Sequence, residues 1–207
     1  MAHKKLRLLY IARMLREQTD EDHTLTVNDM IQRLGRLGIS AERKAIYDDL
    51  ELLRTFGMDI VHTKTKTHNY HLGRREFELP ELKLLIDVVQ ASPFLTAKKS
   101  MELIGKLEGL ASAAQAGALR RQVYVLSRVK NHNEQLYYNI DGINQAINRK
   151  RCVQFRYFDW SIRGDRVYRH GGKTYCECPA ALCVDRNYYF IAYRPAAEKF
   201  IHFRVDR

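Results

Sequence analysis

Apolar residues recur at helical spacing in separate runs near the start of the chain. Leu8, Ile11, Ala12 and Leu15 fall at i, i+3, i+4 and i+7 and predict a first helix, which fades in the polar stretch EQTDEDHT. Val27, Met30, Ile31 and Leu34 mark a second, opened by Thr26 as N-cap with Asp29 as the acid of a capping box and broken at Gly35 and Gly38. A third buries Ile46, Leu50 and Leu53, with Ser40 placed to cap it and Gly57 to stop it. Beyond it, MDIVHTKTKTHNYHLG is rich in β-formers and predicts a hairpin, with Lys64 and Lys66 alternating near its tip.

Three short helices followed by a basic hairpin describe a winged helix-turn-helix over residues 1–75. In such a motif the second helix enters the major groove by its N-terminal residues while its C-terminal half stays in the core. The third predicted helix divides in that way, polar early and apolar late. Arg43 and Lys44 can donate to guanine edges or phosphates, and Tyr47 can touch phosphate or a thymine methyl. Ser40 and Glu42 join them at the helix start, and Lys64 and Lys66 would hold the backbone from the wing.

Residues 76–135 read as a helical linker or dimerisation region. Leu79, Leu82, Leu85, Ile86 and Val89 form an apolar face that begins near Pro80. Thr96 can cap a helix carrying Met101, Leu103, Ile104 and Leu107, and a further helical pattern runs through Val123, Leu126 and Val129. From residue 136 the character changes. The helical IDGINQAINRK leads into CVQFRYFDW, where Val153, Phe155 and Tyr157 alternate with Gln154, Arg156 and Phe158. The β-like runs KTYCECPAALCV, NYYFIAYR and KFIHFRVD follow, separated by turn signals, so an antiparallel sheet that curls is expected. The fold class is α+β.

Charge sharpens the functional reading. The chain of 207 residues carries a formal net charge of +11. Residues 1–75 hold 14 basic against 10 acidic side chains, 76–135 hold 8 against 7, and 136–207 hold 13 against 7. Basic segments at both ends favour anionic partners, although Glu42, Asp48 and Asp49 counter the charge of the third helix. No run approaches the roughly 18 apolar residues of a membrane span, and the charged start lacks a secretory signal, so a cytoplasmic protein without a membrane partner is expected.

Cys152, Cys176, Cys178 and Cys183 form a C-x-C-x4-C run after the first of them, which misses the paired C-x2-C spacing of zinc sites. Reduced thiols and no metal are expected. His62, His68, His71 and His202 could be ligands or bases, with Asp59, Asp141 and Asp159 as partners, yet no H-E-x-x-H, G-x-S-x-G or P-loop pattern appears, so neither an enzyme nor a cofactor is expected.

The run from Ser40 through ERKAIYDDLELLRTFGMDI resembles the DNA-reading helix and wing entry of bacterial WYL-domain transcriptional regulators, which join a DeoR-like winged helix to a C-terminal effector domain. The resemblance continues through FELPELKLLIDVVQASPFLT and YYNIDGINQAI. At the family's naming triplet Tyr188 replaces the tryptophan, Tyr189 matches the tyrosine and Phe190 replaces the leucine; FRVDR matches the closing motif at Arg204, Asp206 and Arg207. The resemblance implies that residues 136–207 form a small Sm-like β-barrel that senses a nucleotide or nucleic-acid ligand. It transfers Tyr189, Arg204 and Arg207 as effector contacts. Arg156 and His202 join them on strand position and chemistry, since guanidinium groups and rings suit an anionic, stackable ligand. Members usually continue past FRVDR, whereas this chain stops at Arg207, which leaves a truncated effector domain as one reading.

The expected protein is thus a homodimeric, ligand-responsive regulator that binds double-stranded DNA. The competing expectation is a nucleic-acid-binding adaptor whose β-domain takes single strands or a protein partner.

Overall fold

The computed structural model describes residues 2–122, 135–185, 187–194 and 198–207. They form an α+β chain of two compact units, one made of the described residues within 1–90 and 102–126, the other of those within 91–101 and 127–207. The residues read as a linker are therefore divided between the units. The helical pattern through Val123, Leu126 and Val129 lies outside the described residues.

The first unit begins with α1 (Ala2–Gln18), β1 (Leu25–Thr26), α2 (Val27–Arg36), α3 (Arg43–Thr55), β2 (Ile60–Lys64) and β3 (His68–Leu72). The strands form an antiparallel sheet of order β1-β3-β2. Ile11, Leu15, Met30, Leu34, Ile46, Leu50 and Leu53 interlock as one core, closed below by Tyr70 and Leu72. Burying an aliphatic side chain of this size contributes about 1.5–3 kcal/mol. This core therefore holds the helices more firmly than their propensities do.

The capping box of α2 is complete. Thr26 accepts from the Asp29 backbone at 3.2 Å, and the Asp29 carboxylate accepts from the Thr26 backbone at 2.8 Å. The Thr26 hydroxyl, which donates to the Asp29 carboxylate at 2.6 Å, and then the Thr26 amide hold that carboxyl below its ordinary range, outweighing its desolvation. Because the folded pKa is depressed, the contribution is present above the unfolded pKa of about 3.9 and is lost as pH falls through the folded value. Thr26→Ala is expected to cost about 1 kcal/mol, read by urea unfolding at neutral pH. The difference between the proteins should shrink as the pH falls through the folded pKa of Asp29; a gap that persists unchanged there would reject the box as its cause.

Ser40 does not cap α3. Gly38 turns the chain with φ +73°, and Ile39, whose amide donates to the Leu34 carbonyl, inserts into the core. That anchor leaves Ser40 two positions short, and the N-cap falls on Glu42, which makes no side-chain cap. Helix α3 is tied instead from its side: Arg7 of α1 reaches both carboxylate oxygens of buried Asp49, at 2.5 and 3.0 Å.

At the base of the β2–β3 hairpin the Gly73 amide donates to the Asp59 carbonyl at 2.8 Å, and the Arg74 amide donates to the Asp59 carboxylate at 2.9 Å. A Cβ on Gly73 would lie 2.6 Å from that carboxylate oxygen and 2.7 Å from a Val61 methyl. Gly73→Ala is accordingly expected to destabilise the unit by about 1–3 kcal/mol, the range for overpacking, and to lower its thermal midpoint. An unchanged midpoint would mean that the hairpin base yields freely.

Helices α4 (Leu79–Ala91), α5 (Ala97–Glu108) and α6 (Ala113–Gln122) follow. Leu82, Ile86, Ile104, Ala111 and Leu119 make a second small core. Thr96 caps α5 through the Lys99 amide at 3.1 Å. Polar groups bind α6 to the start of the chain: Ser112 donates to the buried Asp20 carboxylate, and Arg75 donates to the carbonyls of Thr19, Arg16 and Leu110. Burial opposes ionisation of Asp20, yet the hydrogen bonds from Ser112 and His23 prevail and lower its pKa.

In the second unit α7 (Gln135–Asn148) precedes β4 (Val153–Arg156), β5 (Phe158–Trp160), β6 (Arg166–Tyr168), a short 3-10 turn (Arg169–Gly172), β7 (Thr174–Glu177), β8 (Pro179–Asp185), β9 (Asn187–Arg194) and β10 (Lys199–Arg204). The expected closed barrel is not what these strands form. Among the described residues they pair as β10-β9-β8, β4-β7 and β5-β6, three separate antiparallel sheets. The strand run after Lys173 is cut at Cys178, and the register between β8 and β9 shifts at Pro179, whose missing N–H cannot extend a ladder. Leu136 and Ile143 of α7 pack on Phe190, Ala192 and Val205.

The expectation of four reduced thiols is also corrected. Cys152 and Cys178 are disulfide-bonded, while Cys176 and Cys183 are free and exposed. The register explains the pairing: Val153 opposes Glu177, so the antiparallel ladder carries Cys152 opposite Cys178 one step on.

Candidate functional site

The exposed start of α3 is the first candidate surface. Its core face, Ile46, Leu50 and Leu53, fixes the rotation of the helix, and Glu42, Arg43, Lys44 and Tyr47 are left facing solvent together with Ser40. Arg43 donates to the Asn28 side chain of α2 at 2.9 Å, which holds its guanidinium over the α2–α3 junction. Of the acids that counter this surface, Asp49 is neutralised by Arg7 and turned inward, so it opposes an anionic partner less than its sequence position implied. Lys64 ends β2 and Lys66 sits in the turn, both exposed. Behind them the rings of His62, His68 and Tyr70 stack, and His62 and His68 share a 2.8 Å hydrogen bond.

A cavity of about 560 Å³ in the second unit is the other candidate. Its walls are α7, the β4 strand, the β5–β6 hairpin and the chain end. Arg156, Arg204 and Arg207 line it, and Arg166 and Tyr168 join them. Tyr189 and His202 do not. They project from the side of β9–β10 opposite Phe190 and Phe203 and line a separate groove with Cys183 and Asp185. The expected effector set is thus split between two surfaces, with the arginines on one.

Each arginine of the cavity is held differently. Arg204 grips Asp206 through two bonds, at 3.0 and 2.7 Å, and donates to Asn187 at 2.9 Å; the Asp206 carboxylate raises its pKa. Arg207 donates to Asp159 at 2.7 Å, while its Nε is buried without an acceptor. Asp159 is shared, since Arg169 also donates to it at 2.5 and 3.2 Å; these hydrogen bonds, led by Arg169, hold its carboxyl below the usual range. Arg156 lies over the Tyr168 ring at 4.9 Å, and Arg166 lies over Phe158 at 5.0 Å and Trp160 at 5.6 Å. Among the described residues neither Arg156 nor Arg166 has a carboxylate partner. Their donors and the Arg207 Nε are what the cavity offers an anion, beside aromatic faces on which a planar group can stack.

Arg166 and Tyr168 escaped the sequence reading because SIRGDRVYR shows no strand alternation. The signal was the turn at Gly164, with φ +85°, between two aromatic-bearing runs.

Residues 138–207 match the family model of the WYL domain. No curated protein matches the chain. Among solved structures, proteasome accessory factor B/C (PafBC) of Arthrobacter aurescens is similar at 20% identity over 98% of this chain and 31% of that one, with a TM-score of 0.27. The chain therefore spans less than a third of that protein's length, and at this TM-score the likeness is too loose to transfer architecture.

Proposed function

We propose that the chain is a DNA-binding transcriptional regulator, in which α1 to β3 act as a winged helix-turn-helix and the WYL segment senses an anionic nucleotide or nucleic-acid ligand. The observation that carries this reading is the division of α3, buried through Ile46, Leu50 and Leu53 and exposed through Arg43, Lys44 and Tyr47 at its start. An N-terminal half free to meet base edges, with basic residues beside it on a hairpin tip, is what major-groove reading requires. The arginine-lined cavity supports the sensing role, because guanidinium forks pair with phosphate and the Tyr168 ring in its wall suits a stackable group. As a regulator the protein would act as a homodimer on paired half-sites.

Selection from a random duplex library at physiological salt tests the reading. Enrichment of a two-fold motif with half-sites a helical turn or a multiple apart is expected. A folded sample that enriches nothing would sink it. The adaptor reading has one observation in its favour: the β5–β6 hairpin exposes Trp160, Ile162 and Val167 together. Binding of single strands or of a protein, with no duplex motif, would mark that alternative.

A further inference from the structure

The Cys152–Cys178 bridge sits where a disulfide has access to solvent and mechanical purchase on the cavity. Along the β4–β7 ladder Val153, Phe155, Tyr175 and Glu177 turn inward, whereas Cys152, Gln154, Cys176 and Cys178 all face outward and are exposed. Strand β4 pairs only with β7 among the described residues, through four ladder positions, and its residues Val153 to Arg156 form a wall of the cavity. Its entry from α7 is a left-handed helix cap: Lys150 is held at φ +51°, a conformation that side-chain-bearing residues adopt at a cost, its amide donates to the Ile147 carbonyl and the Arg151 amide to the Ala146 carbonyl. That cap ends one residue before Cys152 and does not tie β4 to β7. The disulfide is the covalent element that joins the residue just before β4 to the residue just after β7.

We propose that Cys152 and Cys178 form a thiol–disulfide exchange site for low-molecular-weight thiols, and that its redox state sets how firmly β4 closes the cavity wall. Arg149, Lys150 and Arg151 precede Cys152 directly, and their charge favours its thiolate and so makes it the better leaving group. An external thiolate attacks Sγ of Cys178; the protein S–S bond breaks, a mixed disulfide forms on Cys178, and Cys152 departs as a thiolate that takes up a proton. A second external thiolate attacks the outer sulfur of the mixed disulfide, forming the external disulfide and releasing the Cys178 thiolate, which is protonated in turn. Two external thiols are oxidised and the bridge is reduced; the oxidised form of the same small thiol reverses the sequence. Exposed bridges of this kind are the labile ones, and in a reducing compartment a bridge persists only as a transient or regulated one.

Cys176 does not compete within the intact ladder. It lies diagonal to Cys152, and diagonal neighbours stand about 7–8 Å apart, beyond the usual reach of a disulfide. It serves as an internal reference, an exposed thiol in either state.

Amide hydrogen exchange with alkylation mapping tests the proposal on the full chain, equilibrated with reduced or oxidised glutathione. Oxidised protein should show Cys176 alkylated and Cys152 and Cys178 protected together. Reduction should expose both and raise exchange across residues 152–156 at least tenfold, with α2 and α3 unchanged. Cys152→Ser should show the exchange of the reduced protein at residues 152–156 in either form of glutathione, while Cys176→Ser should respond as wild type. Two results would overturn the proposal: Cys152 and Cys178 alkylating as fast as Cys176 in oxidised glutathione, or equal exchange at 152–156 in both states. Because neither readout uses a nucleotide, failure of the sensing role leaves this test intact.

Discussion

Replacing Arg43 and Lys44 together with alanine is expected to lower affinity for the selected duplex by at least about thirtyfold, since each base or phosphate contact of this type contributes on the order of 1–3 kcal/mol. Both side chains are exposed and belong to no core, so the variant should keep its unfolding midpoint, surface changes of this kind staying within about 0.5 kcal/mol. Salt separates the roles of the two residues. A contact to phosphate releases a counterion, so losing one lowers the slope of log K against log salt by about 1. Losing a base contact leaves that slope alone and relaxes sequence preference at one position instead. Arg43 is the better candidate for a base, because its bond to Asn28 already orients the guanidinium. Lys44, a point charge on a flexible stem, suits phosphate. Fluorescence anisotropy at several salt concentrations measures both effects. A double variant that binds the duplex as tightly as wild type would remove α3 from the interface.

The helices of the first unit were legible because two signals agree there: an apolar period and a chemical stop. Thr26 with Asp29 fixed the start of α2 to the residue. Ser40 misled because capping chemistry is local, whereas the start of α3 is set by Ile39 anchoring in the core. The C-terminal strands were legible as strands, since Phe190 and Phe203 alternate with outward residues, yet alternation does not say which strands pair. Closure into a barrel and the Cys152–Cys178 bridge both depend on register, which only the assembled ladder supplies. The same limit separated Tyr189 and His202 from the arginines. Strand parity placed them outward, but the cavity is built where the chain leaves β10, at Val205 to Arg207, beyond the reach of a period-two pattern.

Arg207→Ala is expected to weaken binding of a nucleoside monophosphate to the cavity about ten- to a hundredfold, the range of a charge-assisted hydrogen bond. The buried, acceptor-free Nε of Arg207 makes it the guanidinium with most to gain from an anion, whereas both ends of the Arg204 fork are already committed to Asp206 and Asn187. Arg207→Lys should recover part of the loss, because it keeps the charge and forfeits the fork. Removing Arg204 as well should abolish binding, in part by leaving Asp206 as an uncompensated negative charge at the mouth of the cavity. The sharper test is Asp159→Asn. Its carboxyl, held below the usual range by Arg169 and Arg207, is ionised at neutral pH and competes with an incoming phosphate for Arg207. Neutralising it should therefore tighten binding, a direction that loss of structure does not produce. Isothermal titration of the four variants decides the matter. Weaker binding in Asp159→Asn alongside full binding in Arg207→Ala would mean that the carboxylate, and not the guanidinium, holds the ligand.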